Sequence, residues 1–189
     1  MLCPDGIGLS FHGINISQHR HKGFRFPKIG TKEDLMASQK VLVPYNFTDY
    51  DGKALDFVIQ RFANNESIEI TLFNAYVPVP KIELRDSPIM EKISQNLAFL
   101  QQKIHAQEAE IRQARQKLLQ NGFSKEQVHY IFRAIKKDVA QDIIDLAIDS
   151  GFDVVVLNRN PGKITRFFTR SVSNIVINNL KEIEVDVVT

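Results

Sequence analysis

Cysteine is almost absent from this 189-residue chain. The single thiol, Cys3, excludes an internal disulfide and cannot build a metal site alone. Long hydrophobic runs are missing too. The longest, such as residues 154–157, fall far short of the ~20 residues that cross a bilayer. Residues 1–30 are polar and broken by glycines, so they lack the apolar segment of a signal peptide, and a cytoplasmic location is expected. A large excess of one charge is also absent: the net charge is +2, which argues against nucleic acid as a partner. Histidines 12, 19, 21, 105 and 129 show no metal-ligand spacing. The crevice motifs contain no Ser/His/Asp arrangement, carboxylate pair or Gly-Lys-Ser/Thr loop. Neither a metal nor catalysis is expected.

What is present is an ordinary globular composition, 43% hydrophobic and 24% charged, with enough chain for one cored domain and some left over. Residues 1–39 hold five glycines, two prolines and the basic stretch His19-Arg20-His21-Lys22-Gly23-Phe24-Arg25-Phe26-Pro27-Lys28. This segment reads as an irregular basic extension, either a solvated tail or a surface for RNA or anionic lipid.

Residues 40–189 are regular. Lys40-Val41-Leu42-Val43-Pro44 predicts a short buried strand, and Thr48 and Asp49 offer helix caps. Ala54, Leu55, Val58, Ile59, Phe62 and Ala63 then recur at helical spacing. A second strand runs from Ile68 to about Ala75, a long helix from about 87 to 120, and a third strand from Val128 to Ala134. Val139 to Ile148 predicts the next helix, 153–157 a strand, 171–180 a helix and 183–188 the last strand. Short Val/Ile-rich strands alternating with helices imply a parallel sheet covered on both faces. Ligands then bind beyond the C-terminal strand ends, where the strand order reverses.

Residues 153–173 carry the strongest chemical signal. A buried strand enters a basic loop without acids, containing Arg159, Lys163, Arg166 and Arg170, which ends in Ser171-Val172-Ser173 at a helix start. Strand, cationic loop and helix N-terminus form an arrangement that attracts phosphate.

At this point the chain resembles the universal stress protein family over residues 40–189. Lys40 to Pro44 resembles the family's opening strand, and Lys137 to Ile144 its Gly-Asp-Pro-Ala helix start. Ser171-Val172-Ser173 followed by Ile175-Val176 resembles the close of its nucleotide motif. The resemblance implies a five-stranded parallel sheet in order 3-2-1-4-5, Rossmann-like, with Asn46 and the 158–171 loop meeting at the reversal. It also implies a homodimer through the last strand.

ATP-binding members share Gly-x2-Gly-x9-Gly-Ser/Thr and an aspartate after the first strand. Setting Ser171 at the closing Ser/Thr places Leu157, Asn160 and Arg170 at the three glycines, and Asn46 at the aspartate. The resemblance implies a dimeric regulatory or interaction module of the stress response; glycine lets backbone approach a phosphate, so these replacements predict one without a conventional ATP site or other cofactor. The alternative is a sensor whose altered loop at 158–173 still holds ATP or AMP. Its crevice would be built from Asn46, Arg159, Asn160, Gly162, Arg170, Ser171 and Ser173, with Gly162 supplying one glycine out of register.

Two surfaces suggest partners. Met90, Ile93, Leu97, Leu100, Ile104, Gln107, Ile111, Ala114 and Leu118 form a heptad seam within the 88–120 helix. The seam lies on the chain's own sheet or pairs with another subunit, its N-terminal half being the better interface. In 183–188, acidic residues alternate with apolar ones. That pattern predicts a sheet edge with Glu184 and Asp186 in water and Val185 and Val187 packed inward.

Overall fold

The computed structural model describes residues 38–80, 88–158 and 172–189. Through them run β1 (Gln39–Pro44), α1 (Asp49–Phe62), β2 (Ile68–Tyr76), α2 (Pro88–Gln120), β3 (Val128–Ala134), α3 (Val139–Asp149), β4 (Val154–Asn158), α4 (Val172–Asn179) and β5 (Glu184–Val188). The strands form one five-stranded sheet in order β3-β2-β1-β4-β5, each pair parallel. Element type and strand order match the expectation, and boundaries move by a residue, as frayed ends do. Residues 1–37 of the expected basic extension lie outside the described residues.

The strands are apolar on both faces because helices cover both. Val41, Val43, Ile70, Leu72, Val154 and Val156 pack with Leu55, Val58 and Phe62 of α1 and with Ile111, Ala114 and Leu118 of α2. Leu42, Phe73, Val155 and Leu157 face the other way, onto Ile143, Ala147 and Val176 of α3 and α4. Turn chemistry matches. Asp138 caps α3 by accepting from the Gln141 amide at 2.9 Å. Gly151, at φ +63°, makes the left-handed exit from α3.

α2 has 33 residues, so it is about 50 Å long. Its buried positions start only at Ile111; none of residues 91–110 is buried. The C-terminal part therefore lays its stripe on β2 and β3, while in the N-terminal part Ile93, Leu97 and Ile104 are only half-buried and Leu100 is exposed.

β5 corrects one expectation. Glu184 and Asp186 are not simply solvated: Arg61 of α1 pairs with Glu184 at 2.8 Å and with Asp186 at still closer range. Its guanidinium lies 5.8 Å and 5.1 Å from the Phe57 and Phe62 ring centroids. On the opposite face Val185 packs onto the core, but Val187 is 38% exposed rather than turned fully inward. Among the described residues β5 pairs only with β4, which leaves its outer edge open.

Candidate functional site

β1 hydrogen-bonds to β2 on one side and β4 on the other, so the order reverses between β1 and β4. The crevice at a parallel sheet's ligand-binding end opens there. Pro44 closes β1, and the chain turns through Tyr45-Asn46-Phe47 into the cap residue Thr48.

A buried carboxylate organises this turn. Asp51, 1% exposed, accepts from the amides of Asn46 (3.2 Å) and Thr48 (2.6 Å) and from the Thr48 hydroxyl (3.3 Å), all on Oδ2. The bond from the cap amide to a carboxylate three residues on is half of a capping box. The other oxygen, Oδ1, accepts from the Asn158 carboxamide at the end of β4. One side chain thus ties the β1–α1 turn to the far wall of the crevice.

The two amides Asp51 holds flank Phe47, whose φ is +58°. Left-handed backbone is costly for a bulky residue and persists only where the surroundings impose it. The carboxylate imposes it here, and the Phe47 ring meets the Tyr45 ring edge-on at 5.3 Å. Burial pushes the Asp51 carboxyl above its ordinary range, against the hydrogen bonds from Thr48, Asn46 and Asn158 that favour the ion. Burial, reinforced by the Asp51 and Glu110 charges, pushes the Tyr45 phenol up to about 12.

Of the predicted site residues, two lie in described structure. Asn46 is exposed at the crevice mouth and takes part through its amide. Ser173, in the first turn of α4, donates to the Asn158 carbonyl over a long 3.5 Å. Asp51 and Asn158 bring these two residues onto one network. Arg159, Asn160, Gly162, Arg170 and Ser171 lie outside the described residues, as do Lys163 and Arg166. Leu157, which the resemblance sets at the motif's first glycine, is 3% exposed, sits in β4 opposite Val187, and packs into the α3–α4 core.

A cleft of about 370 Å³ adjoins this network at the C-terminal ends of β1 and β2, walled by Asn46, Phe47, Asn74, Tyr76, Leu100 and Ile104. In it the Asn74 carboxamide donates to the Tyr45 carbonyl at 2.7 Å, while its Oδ1 is buried without a partner. A larger hollow of about 520 Å³, between Ile148, Phe152, Leu180 and Ile183, lies where β4 and β5 begin. It contains none of the predicted residues and sits at the wrong end of a parallel sheet for a ligand, so the smaller cleft is the candidate. No group of three or more His, Cys, Asp or Glu able to hold a metal occurs among the described residues, and no described helix is long and apolar enough to cross a membrane.

Fold, strand order and crevice can be set beside known proteins. The universal stress protein family profile matches residues 37–182. This chain belongs to that family. No curated protein matches it. Among solved structures it is similar to the hypothetical protein MJ0577 (19% identity, TM-score 0.59, 80% of this chain and 96% of that one). It is also similar to a universal stress protein in complex with cAMP (20%, TM-score 0.54, 80% and 97%). A third is the universal stress protein from Archaeoglobus fulgidus in complex with dAMP (14%, TM-score 0.50, 82% and 100%). At these identities the likeness speaks for the fold alone.

Sequence reasoning chose Asn46 for this universal stress protein and passed over Asp51, Asn74 and Asn158. A signal for Asp51 was present. It stands three residues after Thr48, the capping-box interval, and three and four before Ala54 and Leu55, on the buried stripe of α1. A charge on an apolar stripe calls for a buried partner set.

Proposed function

We propose that this universal stress protein is a regulatory or interaction module of the stress response. It acts in the cytoplasm as a homodimer through the β5 edge, without catalysis of its own and without a conventional ATP site. The observation that carries this reading is Leu157. In the register the resemblance sets, it stands where ATP-binding members carry a glycine that lets backbone approach the phosphates. Here β4 stays regular through Leu157 into Asn158, and the Leu157 side chain is core. Asn158 in turn aims its carboxamide at Asp51, within the crevice, rather than outward.

Native mass spectrometry of the purified protein, with calorimetric titration of ATP and AMP, tests the reading. No co-purifying nucleotide and an affinity no tighter than about 1 mM are expected. A retained nucleotide, or tighter binding, overturns it. Leu157→Gly is expected to lose stability without gaining affinity.

One observation favours a second reading, a nucleotide-binding sensor. Asn74 lines the cleft and its Oδ1 is buried without a hydrogen-bond partner; a buried acceptor without a donor suits a ligand N–H such as a base amino group. Under this reading ATP or AMP is held by Arg159, Ser171, Ser173 and nearby amides. Ser171→Ala would then weaken binding; unchanged affinity places the ligand elsewhere.

A further inference from the structure

The exposed half of α2 is built unlike a solvated helix. Past residue 107 the helix carries Glu108, Glu110, Arg112, Arg115 and Lys117 around its buried stripe, as a surface helix should. Residues 93–102 contain no charge at all. On that uncharged stretch and just beyond it, Ile93, Leu97, Leu100 and Ile104 continue the seam that Ile111, Ala114 and Leu118 bury on the sheet. Here the chain's own strands no longer bury it: Leu100 is 43% exposed, Ile93, Leu97 and Ile104 are half-buried, and a cleft lies between Leu100 and Ile104 on one side and residues 77–80 on the other. Depletion of charge around an apolar stripe marks the centre of an interface, not a face meant for water.

The spacing names the occupant. In an antiparallel helix pair, residues whose numbers share a constant sum face each other. For this seam the sum 197 sets Ile93 against the partner copy's Ile104, and Leu97 against its Leu100, so the stripe is complementary to itself. The flanks agree: offset by two from that sum on either side, Asn96 lies near the partner copy's Lys103 and Ser94 near its Gln101, with no like charges opposed. A parallel pair would carry the seam on to Ile111, Ala114 and Leu118, which are already buried in their own sheet. The antiparallel register ends before them and leaves the two sheets at opposite ends. We infer that α2 carries a second self-association surface, an antiparallel pairing of residues 93–104 between two copies of this chain, distinct from the β5 edge.

Because the overlap is short, association of order 10–100 μM is expected. In a full-length Cys3→Ser background, chains carrying Ile93→Cys and chains of different mass carrying Ile104→Cys are mixed and treated with a short bis-maleimide. The 93–104 product should exceed both like-with-like products severalfold. Dominant 93–93 and 104–104 products would show a parallel pair and overturn the inference. So would yields no higher than those of a Phe99→Cys control, since Phe99 is 66% exposed but points off the seam. In sedimentation velocity, Leu100→Glu should weaken this association at least tenfold, while Phe99→Glu leaves it unchanged; the reverse result also overturns it. A Val187→Lys variant reads the β5 edge separately. If it abolishes dimers yet the 93–104 product persists, the two interfaces are independent. If 93–104 linking fails while dimers sensitive to Val187→Lys remain, only the α2 inference falls.

Discussion

Replacing Asp51 with alanine should destabilise the fold by an amount the geometry allows us to work out. The carboxylate satisfies two backbone amides, one hydroxyl and one carboxamide. The hydroxyl turns to other acceptors, and water reaches exposed Asn46. The Thr48 amide and the Asn158 carboxamide then lose a charged acceptor, at about 1–2 kcal/mol each. Returning a buried carboxylate's desolvation offsets part of that, so Asp51→Ala should cost about 2–3 kcal/mol, read as a drop of roughly 5–10 °C in Tm. Asp51→Asn should cost only about 1 kcal/mol, because Asn158 can rotate its amide and offer oxygen to the new NH2 group. The pH dependence has a definite sign. Burial raises this carboxyl above its unfolded value. The folded chain therefore holds a proton that the unfolded chain has released, and stability falls as pH rises from about 4 through the raised value. Asp51→Asn lacks this titration, so the stability difference between wild type and variant should be greatest near pH 4 and shrink above it. Urea unfolding at a series of pH values measures both effects. An alanine cost below about 0.5 kcal/mol, or a difference that grows with pH, would refute the reasoning.

Other perturbations test other parts of the fold. Burial pushes the folded Tyr45 phenol up to about 12 from 10; up to about 2.7 kcal/mol of stability should therefore vanish between pH 10 and 12, and Tyr45→Phe should remove that slope in alkaline unfolding curves. Arg61→Ala should cost about 1 kcal/mol, a small effect because the ion pairs are half in water, and high salt should narrow the gap to wild type. Along one helix, Leu118→Ala should cost about 3 kcal/mol in chemical denaturation but Leu100→Ala less than about 1, measured at concentrations where the chain does not self-associate. Gly151→Ala should cost about 1 kcal/mol or more, since open space surrounds the position but φ is +63°.

Periodicity and punctuation in the sequence determined the elements. Runs such as Val41 to Val43 and Val154 to Leu157 can be buried on both faces only in a parallel sheet. Asp138 and Gly151 mark where α3 starts and stops, and only residue-level boundaries moved. These are local properties, readable within a few residues. The site is another matter. Asn46 and Ser173 could be named from the sequence, but their connection runs through Asp51 and Asn158, which lie 107 positions apart and meet only because β4 is laid beside β1. The same holds for Arg61 and the acidic residues of β5, 123 and 125 positions away, whose alternation read as a solvated face until α1 was seen to cross it. For α2 the seam was legible from end to end. Which half of it is buried was decided by the sheet, because strands of five to nine residues cannot reach along a helix of thirty-three.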